Sequence, residues 1–278
     1  MNSKPSVILF GSKPGSVIAL ELMLQKAWKV LAVVPSGNHP FIAGDRLNQV
    51  ADSMAIPVLT QDKLIDELGD QRADFVISYM FRNKVKPKSL SLANRAALNF
   101  HAGPLPEYGG WAFYNLAILE NETEYGCTCH YMDDGFDTGP LLKVRKFAID
   151  AAKETAVSLE RKAQAEMINL FCDFMEIAED KTDLPQQEQD KTKMRYLSKT
   201  EFEKLKEIPH NADEETKERI ARAFFYPPYE CAYLNIDGMK FEVIPSIAKQ
   251  QLAKIIHQND LEDLRNIAKY YQLHKSFE

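Results

Sequence analysis

The chain has 278 residues, 45% of them hydrophobic and 27% charged, and its formal net charge is −6. That length suits one large domain, alone or with a small appendage, and the acidic balance weighs against a nucleic acid as main partner, because phosphate binding favours a basic face. No stretch approaches the roughly 20 apolar residues that span a bilayer, and the apolar run at residues 7–10 is too short for a secretory leader, so the expectation is a soluble cytoplasmic protein without membrane contact.

In chain order, an apolar run at residues 6–10 closed by Gly11 predicts a strand, and a helix follows over 16–27. A second strand at 29–34 ends at Pro35-Ser36-Gly37. Next come a helix over 45–54, a short strand at 57–60 and a helix over 63–68. Residues 75–79 and 97–100 lack polar alternation and read as strands buried on both faces. This β-α-β-α order predicts an α/β fold, a Rossmann-like open and mainly parallel sheet with helices on both sides. Such sheets bind ligands beyond their C-terminal strand ends, near a topological switch point.

Two further strands, at 126–132 and 141–149, flank a turn-rich segment over 133–140. A long amphipathic helix over 155–179 places Leu159, Ala163, Met167, Leu170, Phe174 and Ile177 at helical spacing toward a core. The composition then turns polar, which divides the chain into a main domain (1–180), a linker (181–200) and a small C-terminal α+β subdomain (201–278). In that subdomain Asn211 and Glu214 have capping-box spacing ahead of a helix to about residue 224. Residues 231–236 and 239–243, joined by Asp237-Gly238, form a hairpin, and a last helix covers 261–271. The hairpin and that helix are a candidate homodimer surface.

Cys127, Cys129, Cys172 and Cys231 match neither a zinc ribbon nor a CxxC redox pair. They read as small apolar side chains in a reducing compartment. The chemistry lies elsewhere. Asn99 and His101 stand two apart at the end of a buried strand, so their side chains project the same way. Asp137 lies in a loop between strands. An Asn amide can donate to an oxyanion, a His can take a proton near neutral pH, and a buried Asp can hold the imidazole in place. Each has a duller reading, as cap, core histidine or turn former. It is the ordered set at one sheet edge that suggests acyl transfer to an amine.

The residues that carry this pattern are Asn99-Phe100-His101, Pro104-Leu105-Pro106 and, about forty positions on, Asp137-Thr138-Gly139. In them the chain resembles the folate-dependent formyltransferases, closely over residues 99–142 and in organisation over 1–180. The resemblance implies the formyltransferase fold, with 1–180 as the catalytic domain. It implies N10-formyltetrahydrofolate as co-substrate, no metal, and Asn99, His101 and Asp137 as the catalytic set. It also points to two pterin-facing segments, one with Phe81, Arg82, Asn83 and Val85, the other with Met132, Asp133, Asp134 and Phe136. Gly11-Ser12-Lys13-Pro14-Gly15 does not read as a dinucleotide fingerprint.

Family members that formylate initiator aminoacyl-tRNA carry a larger C-terminal domain and an Arg-rich loop where this chain has Glu107-Tyr108-Gly109-Gly110. The purine-pathway members stop near the end of the long helix. Thr128-Cys129-His130-Tyr131-Met132 and the Arg222-to-Tyr229 segment are similar to the amino-sugar branch. The implied partner is therefore a nucleotide-linked 3-amino or 4-amino dideoxy sugar, with thymidine diphosphate as expected carrier and a surface polysaccharide such as O-antigen as destination. Tyr108, Gly110 and Trp111 are the candidate sugar-site residues, and the two aromatics read equally as core. Three alternatives stand beside this reading. They are methionyl-tRNA formylation, a metal-dependent hydrolase with His101, His130 and Asp137 as ligands, and a non-catalytic folate- or nucleotide-binding protein.

Overall fold

The computed structural model describes residues 4–36, 46–111, 113–180, 183–195 and 197–250. The first strand, β1 (Ser6–Gly11), is followed by helix α1 (Pro14–Gln25) and by β2 (Lys29–Pro35). Pro14 opens α1 at a position whose N–H would be unpaired in any case. Helices α2 (Arg46–Ser53) and α3 (Gln61–Leu68) lead to β3 (Ala73–Tyr79), and a single turn, α4 (Pro87–Leu90), leads to β4 (Ala93–His101). Helix α5 (Phe113–Leu119), strands β5 (Glu124–Tyr131) and β6 (Leu141–Ala148), and the 25-residue α6 (Ala156–Asp180) complete the main layer.

These six strands form one sheet in the order β2-β1-β3-β4-β5-β6. The first four are parallel, and β5 runs antiparallel to both β4 and β6. Because β1 is flanked by β2 on one side and β3 on the other, the winding reverses between β1 and β3. The open, mainly parallel sheet expected from the sequence is present. The strand expected at 57–60 is reduced to one parallel bridge, Val33 to Val58.

Alternate residues of β1 serve two cores. Val7 and Leu9 face one, with Phe75, Ile77, Leu98, Phe100 and the α6 stripe of Leu159, Ala163, Met167, Leu170, Phe171 and Phe174. Ile8 and Phe10 face the other, with Leu64, Val76, Val85 and Leu92. A strand covered on both faces has no polar alternation to show, which is why 75–79 reads as a continuous apolar run. Burial of each large apolar side chain is worth about 1.5–3 kcal/mol. On the α6 side the rings of Phe75, Phe100, Phe171 and Phe174 lie 5.0–5.9 Å apart in sequence of contact. The end of α6 is tied down by the Trp28 indole N–H, which donates to Glu179 at 2.8 Å.

After α6 the chain runs as a strap over residues 183–195 and includes a 3-10 turn at Lys191–Lys193. Helices α7 (Lys199–Lys204) and α8 (Glu214–Ala223) follow, then the hairpin β7 (Tyr233–Ile236) and β8 (Met239–Glu242). Asp237 and Gly238 both have positive φ, 52° and 82°, as a two-residue hairpin turn of this twist requires. The cap of α8 is Asp213, whose carboxylate accepts from the Thr216 N–H at 2.7 Å, and not Asn211 as the spacing suggested. Ile220, Ala223 and Phe224 join the main core, and the Asn115 side chain donates to the Ala223 carbonyl at 2.7 Å. The expected helix at 261–271 lies outside the described residues. Among the described residues no helix is long and apolar enough to cross a membrane.

Candidate active site

Strand β4 ends where β5 begins to leave it, and their antiparallel register sets Asn99 opposite His130 and His101 opposite Thr128. Directly opposed residues share a face, so Asn99 and His130 are neighbours by pairing alone. The Asn99 amide nitrogen lies 3.0 Å from His130 Nε2 and donates to Asp137 Oδ1 at 3.3 Å. His130 Nδ1 is 2.8 Å from the Tyr131 carbonyl, which can only accept, so Nδ1 carries a proton and Nε2 is free to accept from Asn99. The same Nε2 is 3.3 Å from Asp137 Oδ1, so a second proton on His130 would fall between the two.

His101 is 5% exposed. Its Nε2–H donates to the Tyr108 carbonyl at 2.6 Å, and its ring stands edge-on to Phe113 at 4.8 Å. The nitrogen left with a lone pair is Nδ1, 3.6 Å from Asp137 Oδ2. The loop that delivers the Tyr108 carbonyl is anchored by Thr128, whose hydroxyl donates to Gly103 O at 2.8 Å and accepts from Leu105 N–H at 3.0 Å. Gly103 is a close approach: a Cβ there would sit 2.7 Å from the Tyr108 carbonyl oxygen and 2.8 Å from His101 Nε2.

Asp137 occupies the left-handed region, with φ 56°. The turn ahead of it is built by Asp133, whose Oδ1 accepts from Gly135 N–H at 2.9 Å and from Thr138 Oγ1 at 2.7 Å. Beneath it, the Gln189 amide donates to the carbonyls of Asp137 and Gly139 at 2.8 and 2.7 Å. The Gly110 N–H donates to Asp137 Oδ2 at 2.9 Å. Burial alone would raise the Asp137 carboxyl. In acid, where the imidazoles are protonated, the charge of His101, the hydrogen bond and charge of His130, and the Gly110 N–H outweigh it and hold the group below the usual carboxylate range.

Asn99, His101 and Asp137 are thus one cluster, and the structure adds His130, which the sequence pointed to only as a ligand in the hydrolase alternative, and Gln189, which had no role. Of the candidate sugar-site residues, Gly110 reaches the cluster through its backbone. Trp111 is 40% exposed, donates to Leu197 O at 3.2 Å and packs on Phe202 at 4.6 Å. Tyr108 turns its ring away from the cluster into the core. Its hydroxyl reaches Glu120 and Glu122 at 3.1 and 2.9 Å, and only its carbonyl serves the site.

The two pterin-facing segments meet. Lys84 Nζ binds the Asp134 carbonyl and lies 5.2 Å from the Phe136 ring centre. Phe81, Val85 and Met132 pack into the second core, while Asn83, Asp133 and Asp134 are exposed. The Arg82 N–H donates to the hydroxyls of Ser12 and Ser36 at 3.2 and 3.1 Å, at the point where the winding reverses. Burial pushes the Cys127 thiol up to about 12 and Cys129 well above its usual value, which leaves both unreactive. Among the described residues no group of three or more His, Cys, Asp or Glu is arranged to hold a metal ion.

The formyl transferase family model matches residues 43–174. The match covers just under half of the chain. It contains Asn99, His101, His130 and Asp137, while Gln189 lies beyond it. Among curated relatives, a methionyl-tRNA formyltransferase of Listeria welshimeri is 30% identical over 174 residues, covering 58% of this chain and 55% of its own. One of Geobacter metallireducens is 26% identical over 246 residues, covering 84% and 76%. The chain thus spans about half the length of the first of these relatives. Among solved structures, an N-formyltransferase of Helicobacter canadensis, in complex with folinic acid and dTDP-3-aminofucose, superposes with a TM-score of 0.70 at 24% identity, over 84% of this chain and 85% of that one. A 4-N formyltransferase of Francisella tularensis superposes with a TM-score of 0.70 at 17% identity, over 86% and 96%. The fold is that of the formyltransferases.

Proposed function

We propose that the protein transfers a formyl group from N10-formyltetrahydrofolate to the primary amine of a nucleotide-linked amino-dideoxy sugar. The observation that carries the chemistry is the single cluster of half-buried Asn99 and Asp137 with buried His101 at the C-terminal end of β4. The amine nitrogen attacks the formyl carbon, the bond to N10 breaks, and a proton passes from the amine to N10. Asn99 donates an amide N–H to the oxyanion and gives up the longer of its two bonds, 3.3 Å to Asp137, to do so. His101 takes the amine proton at Nδ1, because Nε2 is committed to the Tyr108 carbonyl. Asp137, 3.6 Å away, stabilises the resulting imidazolium.

The residues suit a flat heteroaromatic ring. Phe136 is 70% exposed one position before Asp137, and Phe81, Val85 and Met132 of the same two segments belong to an apolar cluster.

The sugar reading is supported by superposition, over 84% of this chain and 85% of the other, on the Helicobacter canadensis N-formyltransferase in complex with dTDP-3-aminofucose. A thymidine diphosphate carrier is proposed because the Helicobacter canadensis protein holds such a ligand. The product sugar would enter a surface polysaccharide. Methionyl-tRNA formylation is the second reading, favoured by the names of the curated relatives. A spectrophotometric screen of nucleotide-linked 3-amino and 4-amino sugars with formyl-folate, run beside a methionyl-tRNA arm, separates them. Turnover of a sugar nucleotide alone is expected, and turnover of methionyl-tRNA alone would overturn the sugar assignment.

A further inference from the structure

Gln189 lies on the strap after α6, outside the residues that the formyl transferase family model matches, and is 7% exposed. Both N–H groups of its amide are spent on one turn, on the carbonyls of Asp137 and Gly139. The amide cannot be turned over, since that would set its oxygen against two carbonyl oxygens. Its own oxygen is buried with no partner. A position that needed only to be filled would hold an apolar side chain of the same length and leave no orphaned acceptor.

The strap is set in register by Gln187, which exchanges two backbone hydrogen bonds with Leu141, at 2.7 and 2.9 Å. Two residues on, Gln189 arrives under the turn by that pairing. Asp137 is in the left-handed region, so the orientation of its peptide decides where its carboxylate points. The two donors of Gln189 bracket that peptide. Above it the carboxylate faces Asn99, His101, His130 and the Gly110 N–H.

We propose that Gln189 is a positioning residue for formyl transfer, acting through Asp137 by fixing the left-handed turn from below. The proposal rests on the role given to Asp137 above. The strap is then part of the active site's rear wall, which a boundary near residue 180 would cut away.

Gln189→Met keeps the length and removes both donors. It is measured against Asp190→Ala, which removes the side chain capping the neighbouring 3-10 turn and does not touch Asp137. Expected for Gln189→Met is a kcat lowered about ten- to a hundredfold, with the KM for formyl-folate changed less than about twofold. The Asp137 carboxyl, followed by carbon-13 NMR, should titrate closer to its ordinary value, because it loses its imidazole and N–H partners. Asp190→Ala should lower the thermal midpoint and leave kcat and that titration unchanged. If Gln189→Met does not fold, Gln189→Asn, one methylene too short to bridge both carbonyls, carries the same readouts. Wild-type kcat and wild-type titration in the Gln189 variant, or both changes reproduced by Asp190→Ala, would overturn the proposal. Absence of turnover in the wild-type protein would sink the functional reading instead, and the NMR titration would still decide whether Gln189 orients Asp137.

Discussion

Asn99, His101 and His130 stand on paired strands, whereas Asp137 stands on a loop, and the two are held by different means. Register between β4 and β5 places the first three, and the same ladder would place any residues written at those positions. Asp137 depends on contacts from five places in the chain: the Asp133 turn, Gly110, His101 on β4, His130 on β5 and Gln189 on the strap. The strand side is rigid because the sheet is rigid. The loop side is rigid only while every one of those contacts is in place, so the two sides should fail differently when changed.

The largest effects are expected on the strand side. His101→Ala should lower kcat about 10²- to 10⁴-fold and Asn99→Ala about 10²- to 10³-fold, with formyl-folate binding nearly intact, because both act mainly in the transition state. The thermal midpoint should move little, since the sheet does not depend on either side chain. Steady-state kinetics with calorimetric binding of the folate separates the two parameters. Loss of folate affinity with kcat preserved would contradict these roles.

A smaller effect should follow from Gly103→Ala, at the junction between strand and loop. The added Cβ would lie 2.7 Å from the Tyr108 carbonyl oxygen and 2.8 Å from His101 Nε2, so the carbonyl that orients His101 must move. A cost of about 1–2 kcal/mol is expected, read as a roughly tenfold fall in kcat. Unchanged kcat would mean that the Tyr108 carbonyl does not set the ring.

The same division explains what the sequence disclosed. Buried strands and the α6 stripe announce themselves by apolar runs and by periodicity, and the spacing of Asn99 and His101 places them on one face. The helix α5 escaped because it is seven residues long and lies among packed partners, so it shows no polar face. Asp213 was passed over for Asn211 because both are good caps and only the local φ and ψ choose between them. Gln189 could not be found from sequence. It sits in a polar stretch that reads as linker, and its function is a contact across 52 positions. Tyr108 was noticed for its ring, but its carbonyl is what the site uses.

The smallest expected effect concerns acid stability and isolates the loop side. Asp137 is 13% exposed at its side chain, and its folded carboxyl is held below its ordinary value by the histidines and the Gly110 N–H. In the unfolded chain the same group takes a proton near pH 3.9. Below that pH the unfolded state binds the proton first, so stability falls with falling pH until the folded carboxyl is also protonated. The contribution is therefore complete above about pH 4–5 and disappears as pH drops through the depressed folded value. Asp137→Asn removes the titration while keeping the side chain's size. Urea midpoints at descending pH should show the wild-type protein losing on the order of 1 kcal/mol more than the variant below about pH 4. Parallel acid profiles for the two proteins would show that the carboxylate is not held by the contacts described, and that the turn stands without them.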